Sequence, residues 1–271
     1  MEIKKQEKIE EIKRFTGIIP YRIVALNPTL EELHKLGYTY LTQEPVYTTD
    51  DGGLRLDFML ENASGMDYLE NGALVNSGKL VNKHSIFLKP GNQGSSTGKV
   101  MIVNDLLQHS WSTDLETLMS NERMEWFSKN HNIRVAKEGE VDLLVLFRTL
   151  CGLSLGSKEK SADEVKFKTT WAEILNGNLT ELRGYITQAF KSGNGVTFLQ
   201  GVKTTPEGKM YSTLYTKHIQ TATNKQTKMF EKALADYTPN NFDYQDSLKF
   251  QLYTGTSTPK ADAAQTVKSD W

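Results

Sequence analysis

A single cysteine in 271 residues, Cys151, excludes an internal disulfide. Its place in the apolar run LLVLFRTLCGL marks it as a small core residue rather than a reactive thiol. Long apolar runs are missing as well. None approaches the about 18 residues that a membrane-spanning helix needs, and the Lys- and Glu-rich opening MEIKKQEKIEEIKR has no apolar signal-peptide core. A cytoplasmic protein without membrane contact is expected, and Asn62-Ala63-Ser64 and Asn178-Leu179-Thr180 are chance matches to glycosylation sequons. No sign of charge dominates: 32 basic against 33 acidic residues leave a net charge of −1, which removes the simplest argument for a nucleic-acid binder.

The catalytic signatures are also absent. The five histidines, at 34, 84, 109, 131 and 218, form no pair at metal-ligand spacing, so neither a structural zinc nor any other metal is expected. No G-x-S-x-G, H-E-x-x-H or dinucleotide glycine motif occurs. GSSTGKV is not a phosphate loop, because Gly94 and Gly98 stand too close, Val100 replaces the Ser/Thr, and a strand follows where a helix is required. Asp50-Asp51 before Gly52-Gly53 lacks the alternating carboxylates of a calcium loop. A non-enzymatic protein without a cofactor is the expectation; a nuclease or other DNA-processing enzyme, whose carboxylates can be distant in sequence, is one alternative.

What is present begins with FTGIIPYRIVALNPTLEELHKL, residues 15–36. A β-rich run stops at Asn27-Pro28, and Thr29 with Glu32 three residues on predicts a capping box for a short helix. Residues 1–14 predict an amphipathic helical arm. LRLDFMLEN alternates, with Leu54, Leu56, Phe58 and Leu60 on one side and Arg55, Asp57 and Met59 on the other, predicting a half-buried strand. Residues 62–81 predict a surface loop, and His84 to Lys89 followed by KVMIVND predicts a hairpin or broken strand pair. Helical spacing runs from Asp114 to about Lys191, around 115–127, 140–150 and 171–190, with breaks at Gly139, Gly152, Gly156 and Gly177. VTFLQGVKT and MYSTLYTKHI then predict a hairpin that must pair with earlier strands, since an isolated hairpin is marginal in water. A helix near 225–236, a short strand in SLKFQLY and a disordered tail over 254–271 complete the reading.

This order predicts an α+β protein: an OB-fold-like five-stranded Greek-key barrel over 15–253, with a helical insertion of about 112–192 between the third and fourth strands. A two-domain division into an all-β and an α/β half is the alternative. If the aliphatic positions face inward, Arg55 faces out, and Phe87 and Lys89 oppose Ile86 and Leu88. Tyr211, Thr213, Tyr215 and Lys217 share a face, with Lys203 on the partner strand and Arg22 on the first strand. Six lysines at 203, 209, 217, 225, 228 and 232 against Glu207 and Glu231 make this region locally basic. Rings that stack bases, interleaved with cations that meet phosphates, are the ingredients of sequence-tolerant single-strand binding.

Several segments carry a family likeness: G-I-I-P-Y-R-I-V-A-L-N-P-T-L-E-E-L, E-P-V-Y at 44–47, R-V-A-K-E-G-E-V-D-L-L-V-L-F at 134–147, G-N-L-T-E-L at 177–182, and the hairpin end G-K-M-Y-S-T-L-Y. Over residues 15–253 the chain resembles single-stranded DNA-binding proteins of large tailed, crAss-like bacteriophages. The resemblance implies an OB-fold protein of phage DNA replication or recombination in the host cytoplasm, with single-stranded DNA as its partner. It departs from the zinc-containing phage binding proteins in having no Cys/His cluster. Asp270 and Trp271 keep the terminal tip of a tail that contacts replication proteins, without the acidic run before it. A virion or tail structural protein is the further alternative.

Overall fold

The computed structural model describes residues 13–89, 100–112, 132–152, 162–204, 210–221 and 248–254. The arm at 1–12, the loop at 90–99, the helices expected near 115–127 and 225–236, and the tail beyond Thr254 lie outside the described residues.

Its centre is β1 (Phe15–Leu26), which shares its edges between two partners. Gly17 to Tyr21 pair with β9 (Val196–Thr204), and Arg22 to Leu26 pair with β2 (Leu54–Asn62) across a register shift between Ile23 and Ala25. With β5 (Leu80–Leu88) beside β2 and β10 (Met210–Thr221) beside β9, the antiparallel order is β10-β9-β1-β2-β5, a sheet nearly closed into a barrel. The late hairpin thus pairs with the first strand, as its isolation in sequence required. Among the described residues of SLKFQLY, Gln251–Leu252 form a strand, β11, on the Phe15 end of β1. There Gly17 adopts φ 114, and a Cβ would overlap the Lys249 carbonyl.

Asn27 ends β1 by extending the ladder with its side chain. At φ 47 its Oδ1 accepts from the Asp57 amide at 2.7 Å while its Nδ2 donates to the Arg55 carbonyl at 3.0 Å. Thr29 and Glu32 form the predicted capping box of α1 (Leu30–Lys35).

Residues 62–81 are not a loop. They carry a hairpin, β3 (Asp67–Glu70) and β4 (Ala73–Asn76), turned by Asn71 and Gly72 at φ 53 and 81. Asn-Gly is the residue pair that a two-residue primed turn demands. Tyr68 anchors the hairpin, its ring 5.0 Å from Phe15. Nor does β6 (Val100–Asn104) pair with β5. It joins β7 (His109–Ser112) and β8 (Ile133–Val135) in a separate three-stranded sheet, which also interrupts the stretch expected to be a helical insertion.

The helices are α2 (Glu140–Cys151), α3 (Ala162–Leu175) and α4 (Thr180–Lys191), the last two divided near Gly177. Among the described residues no helix is long and apolar enough to cross a membrane. Gly139 starts α2 with φ 74 so close to β5 that a Cβ would strike the Phe87 carbonyl. Leu143, Leu144, Leu146, Phe147 and Leu150 of α2 are buried, each contributing about 1.5–3 kcal/mol. Phe147 lies 6.1 Å from Phe58 inside the barrel and 6.0 Å from Phe167 of α3, so a continuous cluster joins sheet and helices.

Candidate nucleic-acid interface

The inward faces of the strands carry Ile19, Tyr21, Ile23, Leu56, Phe58, Leu60, Ile86, Leu88 and Phe198, all buried. The outward faces therefore hold what can meet a ligand. β2 is more covered than its alternation predicts. Asp57 and Met59 are buried on the outward side, at 4% and 1% exposure, so the strand is enclosed on both faces in its middle. For Asp57 the cause is ionic. Arg55 donates to it twice, from Nε at 2.8 Å and Nη2 at 2.5 Å, Ser85 donates its hydroxyl at 2.7 Å, and Lys83 Nζ stands 3.3 Å away. Burial pushes the Asp57 carboxyl up, but the Arg55 and Ser85 hydrogen bonds and the Lys83 charge outweigh it and hold the carboxyl below its ordinary value.

Strand register sets the rest of the face. Arg55 pairs with Phe87, and a bridge between Thr48 and Leu54 puts Tyr47 opposite Arg55 on the other side. Tyr47, Arg55 and Phe87 thus form a row about 10 Å wide across β2, β5 and the segment bridged to β2 at Thr48. Tyr47 donates its hydroxyl to the Pro28 carbonyl at 2.6 Å. Lys89, one step beyond Phe87 on the same side, stands 3.7 Å from Asp51. Three cations, Arg55, Lys83 and Lys89, face Asp57 and Asp51, and Glu138, bridged to Lys89, brings a third carboxylate to the same row.

Opposite β5 lies β10, and between them opens a cleft of about 520 Å³ lined by Lys83, Ser85, Phe87, Glu138, Asp142, Tyr211 and Thr213, among others. Tyr211 pairs in register with Lys203. The structure thus brings Phe87 and Tyr211 to one cleft, with Arg55 and Lys89 beside the first and Lys203 beside the second. It does not bring Arg22 there. Arg22 pairs with Glu61 at the far end of β2, six residues from Arg55 and so about 20 Å away. Its guanidinium lies 5.8 Å from the Phe190 ring. Tyr215 pairs with Leu199, but the register shifts between Tyr215 and Gln220, so simple alternation does not carry Lys217 onto the Tyr211 face. The side chains of Tyr215 and Lys217, and the whole of Asp270 and Trp271, lie outside the described residues.

Three residues of this region escape sequence reasoning. Starting the strand at His84 leaves out Lys83, which the alternation Lys83, Ser85, Phe87 would recover. Tyr47 precedes a turn, and only the bridge to β2 places it. His84 points into the barrel, its ring 6.2 Å from Phe58 and 5.5 Å from Phe198, and its Nε2 has no hydrogen-bond partner. Burial pulls its pKa down to about 4, so the ring is neutral at physiological pH.

Chemically, the face offers stacking and charge rather than proton transfer. Asp57 is held ionised by its donors, and among the described residues no group of three or more His, Cys, Asp or Glu could hold a metal ion. Comparison of the chain with protein-family models, with curated proteins and with solved structures finds no match in any of the three.

Proposed function

We propose that this chain is a non-enzymatic, sequence-tolerant single-stranded DNA-binding protein with an OB-type barrel, acting in phage DNA replication or recombination in the host cytoplasm. The observation that carries the reading is the pair of exposed rings, Phe87 and Tyr211 at 42% and 46%, on one cleft, with Tyr47 and Arg55 in the same row as Phe87. Exposed rings with cations alongside them are ingredients of strand binding without base readout. The fold reading is supported by the strand order. With β1, β2, β5, β9 and β10 as the five strands, β10-β9-β1-β2-β5 is the order of a Greek-key OB barrel opened between its third and fifth strands. The segment between the third and fourth of these strands is then the insertion, and Asp270 and Trp271 are proposed contacts for replication proteins.

Titration of the purified protein with oligo-dT, followed by intrinsic fluorescence, tests the function. Saturable quenching is expected, with log K falling against log salt by about 0.7 for each phosphate contacted. An unchanged signal at low salt would refute the reading.

A further inference from the structure

Arg22 has no hydrogen-bond acceptor among the described residues, whereas Arg55 and Arg134 are held by carboxylates and Arg14 and Arg183 donate to backbone carbonyls. What it has instead is the Phe190 ring, 5.8 Å from its guanidinium. The obvious acceptors nearby are spent. Glu61, opposite Arg22 in the β1–β2 register, is bonded to Lys79 Nζ at 2.6 Å. The carbonyls of Gln188, Ala189 and Phe190, at the end of α4, accept from the amides of Ser192, Asn194 and Gly193. A guanidinium placed against a ring with its donors unused is preorganised for a phosphate.

The pair opens on a cavity of about 320 Å³, lined also by Pro20, Asn62, Ser64 and Gly193. Phe190 keeps 42% exposure there. Arg22 and Glu61 are the charged lining residues, and with Glu61 neutralised by Lys79 the corner keeps a positive excess.

Register links this corner to the cleft. Cross-strand partners share a face, as do residues at even spacing along one strand, so Arg22, Glu61 and Arg55 all point to the outward side. Lys83, opposite Met59, lies on that side between them. At a stacked rise of 3.4 Å, the separation of about 20 Å takes about six phosphates, within the about 4–16 nucleotides that a single-strand-binding barrel covers.

We propose that the Arg22–Phe190 corner is a second contact for the strand held at Phe87 and Tyr211: Arg22 binds a backbone phosphate and the Phe190 ring takes the neighbouring base. The bound strand then runs along the β2–β5 face from Phe87 to Phe190. The assignment rests on the single-strand reading above and gives its site a path and a length.

The test is fluorescence anisotropy of a labelled run of fifteen thymidines with the full chain and two variants. Arg22→Ala is expected to weaken binding about tenfold and to lower the salt slope by about 0.7, the loss of one phosphate contact. Phe190→Leu removes the ring but no charge, and should weaken binding about fivefold with the slope unchanged. Both side chains are exposed, so melting temperatures should stay within a few degrees of the unaltered protein. Affinity within about twofold of the unaltered protein in either variant would overturn the second contact and leave single-strand binding in place. If the unaltered protein binds no oligonucleotide, the functional reading fails and this contact fails with it.

Discussion

Two buried carboxylates, each gripped by an arginine, divide this molecule into a closed region and an open one. Glu140, at 0% exposure, starts α2 and accepts from Arg134 at 2.5 and 2.8 Å, from the Trp171 indole at 2.9 Å and from the Lys137 amide at 2.9 Å. Asp57 has the same kind of bidentate arginine, but its other donors are Ser85 and Lys83, on the face beside the cleft. One carboxylate ties β8, α2 and α3 together. The other arranges cations on a surface. The difference lies in what completes the coordination: an indole from the core makes a structural tie, and an exposed lysine makes a tunable charge cluster. Burial pushes both carboxyls up, and their donors hold both below ordinary values. Each therefore contributes stability present at neutral pH and lost as pH falls below about 4, where the unfolded chain takes up protons first.

The largest expected effect comes from breaking the closed side. Glu140→Ala leaves Arg134 and the Trp171 N–H without their acceptor, and should cost about 3–5 kcal/mol in urea unfolding. A loss under about 1 kcal/mol would show that the tie is dispensable.

Next comes His84, where the closed interior meets the open cleft. Its folded pKa of about 4 lies below the ordinary 6.5, so the unfolded state binds more protons between these values. Stability from this group is full above about pH 6.5 and is lost as pH falls toward 4, by up to about 3 kcal/mol. Melting temperature followed across that window should show the slope, and His84→Phe should flatten it.

On the open side the effect should move from stability to binding. Phe87→Ala and Tyr211→Ala are each expected to weaken oligonucleotide binding by about 1–3 kcal/mol with the melting temperature nearly unchanged. A fall in stability of the same size would return both rings to packing roles.

The smallest effect sharpens the comparison most. Asp57→Asn keeps an acceptor for Ser85 but frees the charges of Arg55 and Lys83, so binding should tighten by about 1 kcal/mol or less and the salt slope should steepen by about 0.7. The same exchange at Glu140 should leave the salt slope as it is.

Much of the strand framework was legible because alternation and turn chemistry are local. Leu56, Phe58 and Leu60 face inward as their spacing predicts, and Thr29 with Glu32 caps α1. Asn71-Gly72 was equally readable but outvoted by the polar composition around it, and Tyr68, whose contacts with Phe15 and Phe250 hold the hairpin down, carries no local mark of that role. For the candidate site, the outward turn of Arg55 and Phe87 followed from alternation. The Arg55–Asp57 contact is itself local, between residues i and i+2 on one strand face, but that Ser85 and Lys83 of the neighbouring strand complete the cluster followed from nothing local.

By itself the sequence determined the period of each strand, the caps and turns that end it, and the absence of a second cysteine, and these depend only on neighbours along the chain. Tertiary structure decided which strands share edges, and therefore that Phe87 and Tyr211, far apart in sequence, line one cleft while Arg22 is carried about 20 Å away. The physical reason is that register is a relation between strands: pairing β1 with β9 on one side and β2 on the other fixes every cross-strand neighbour at once, and no single segment contains that information.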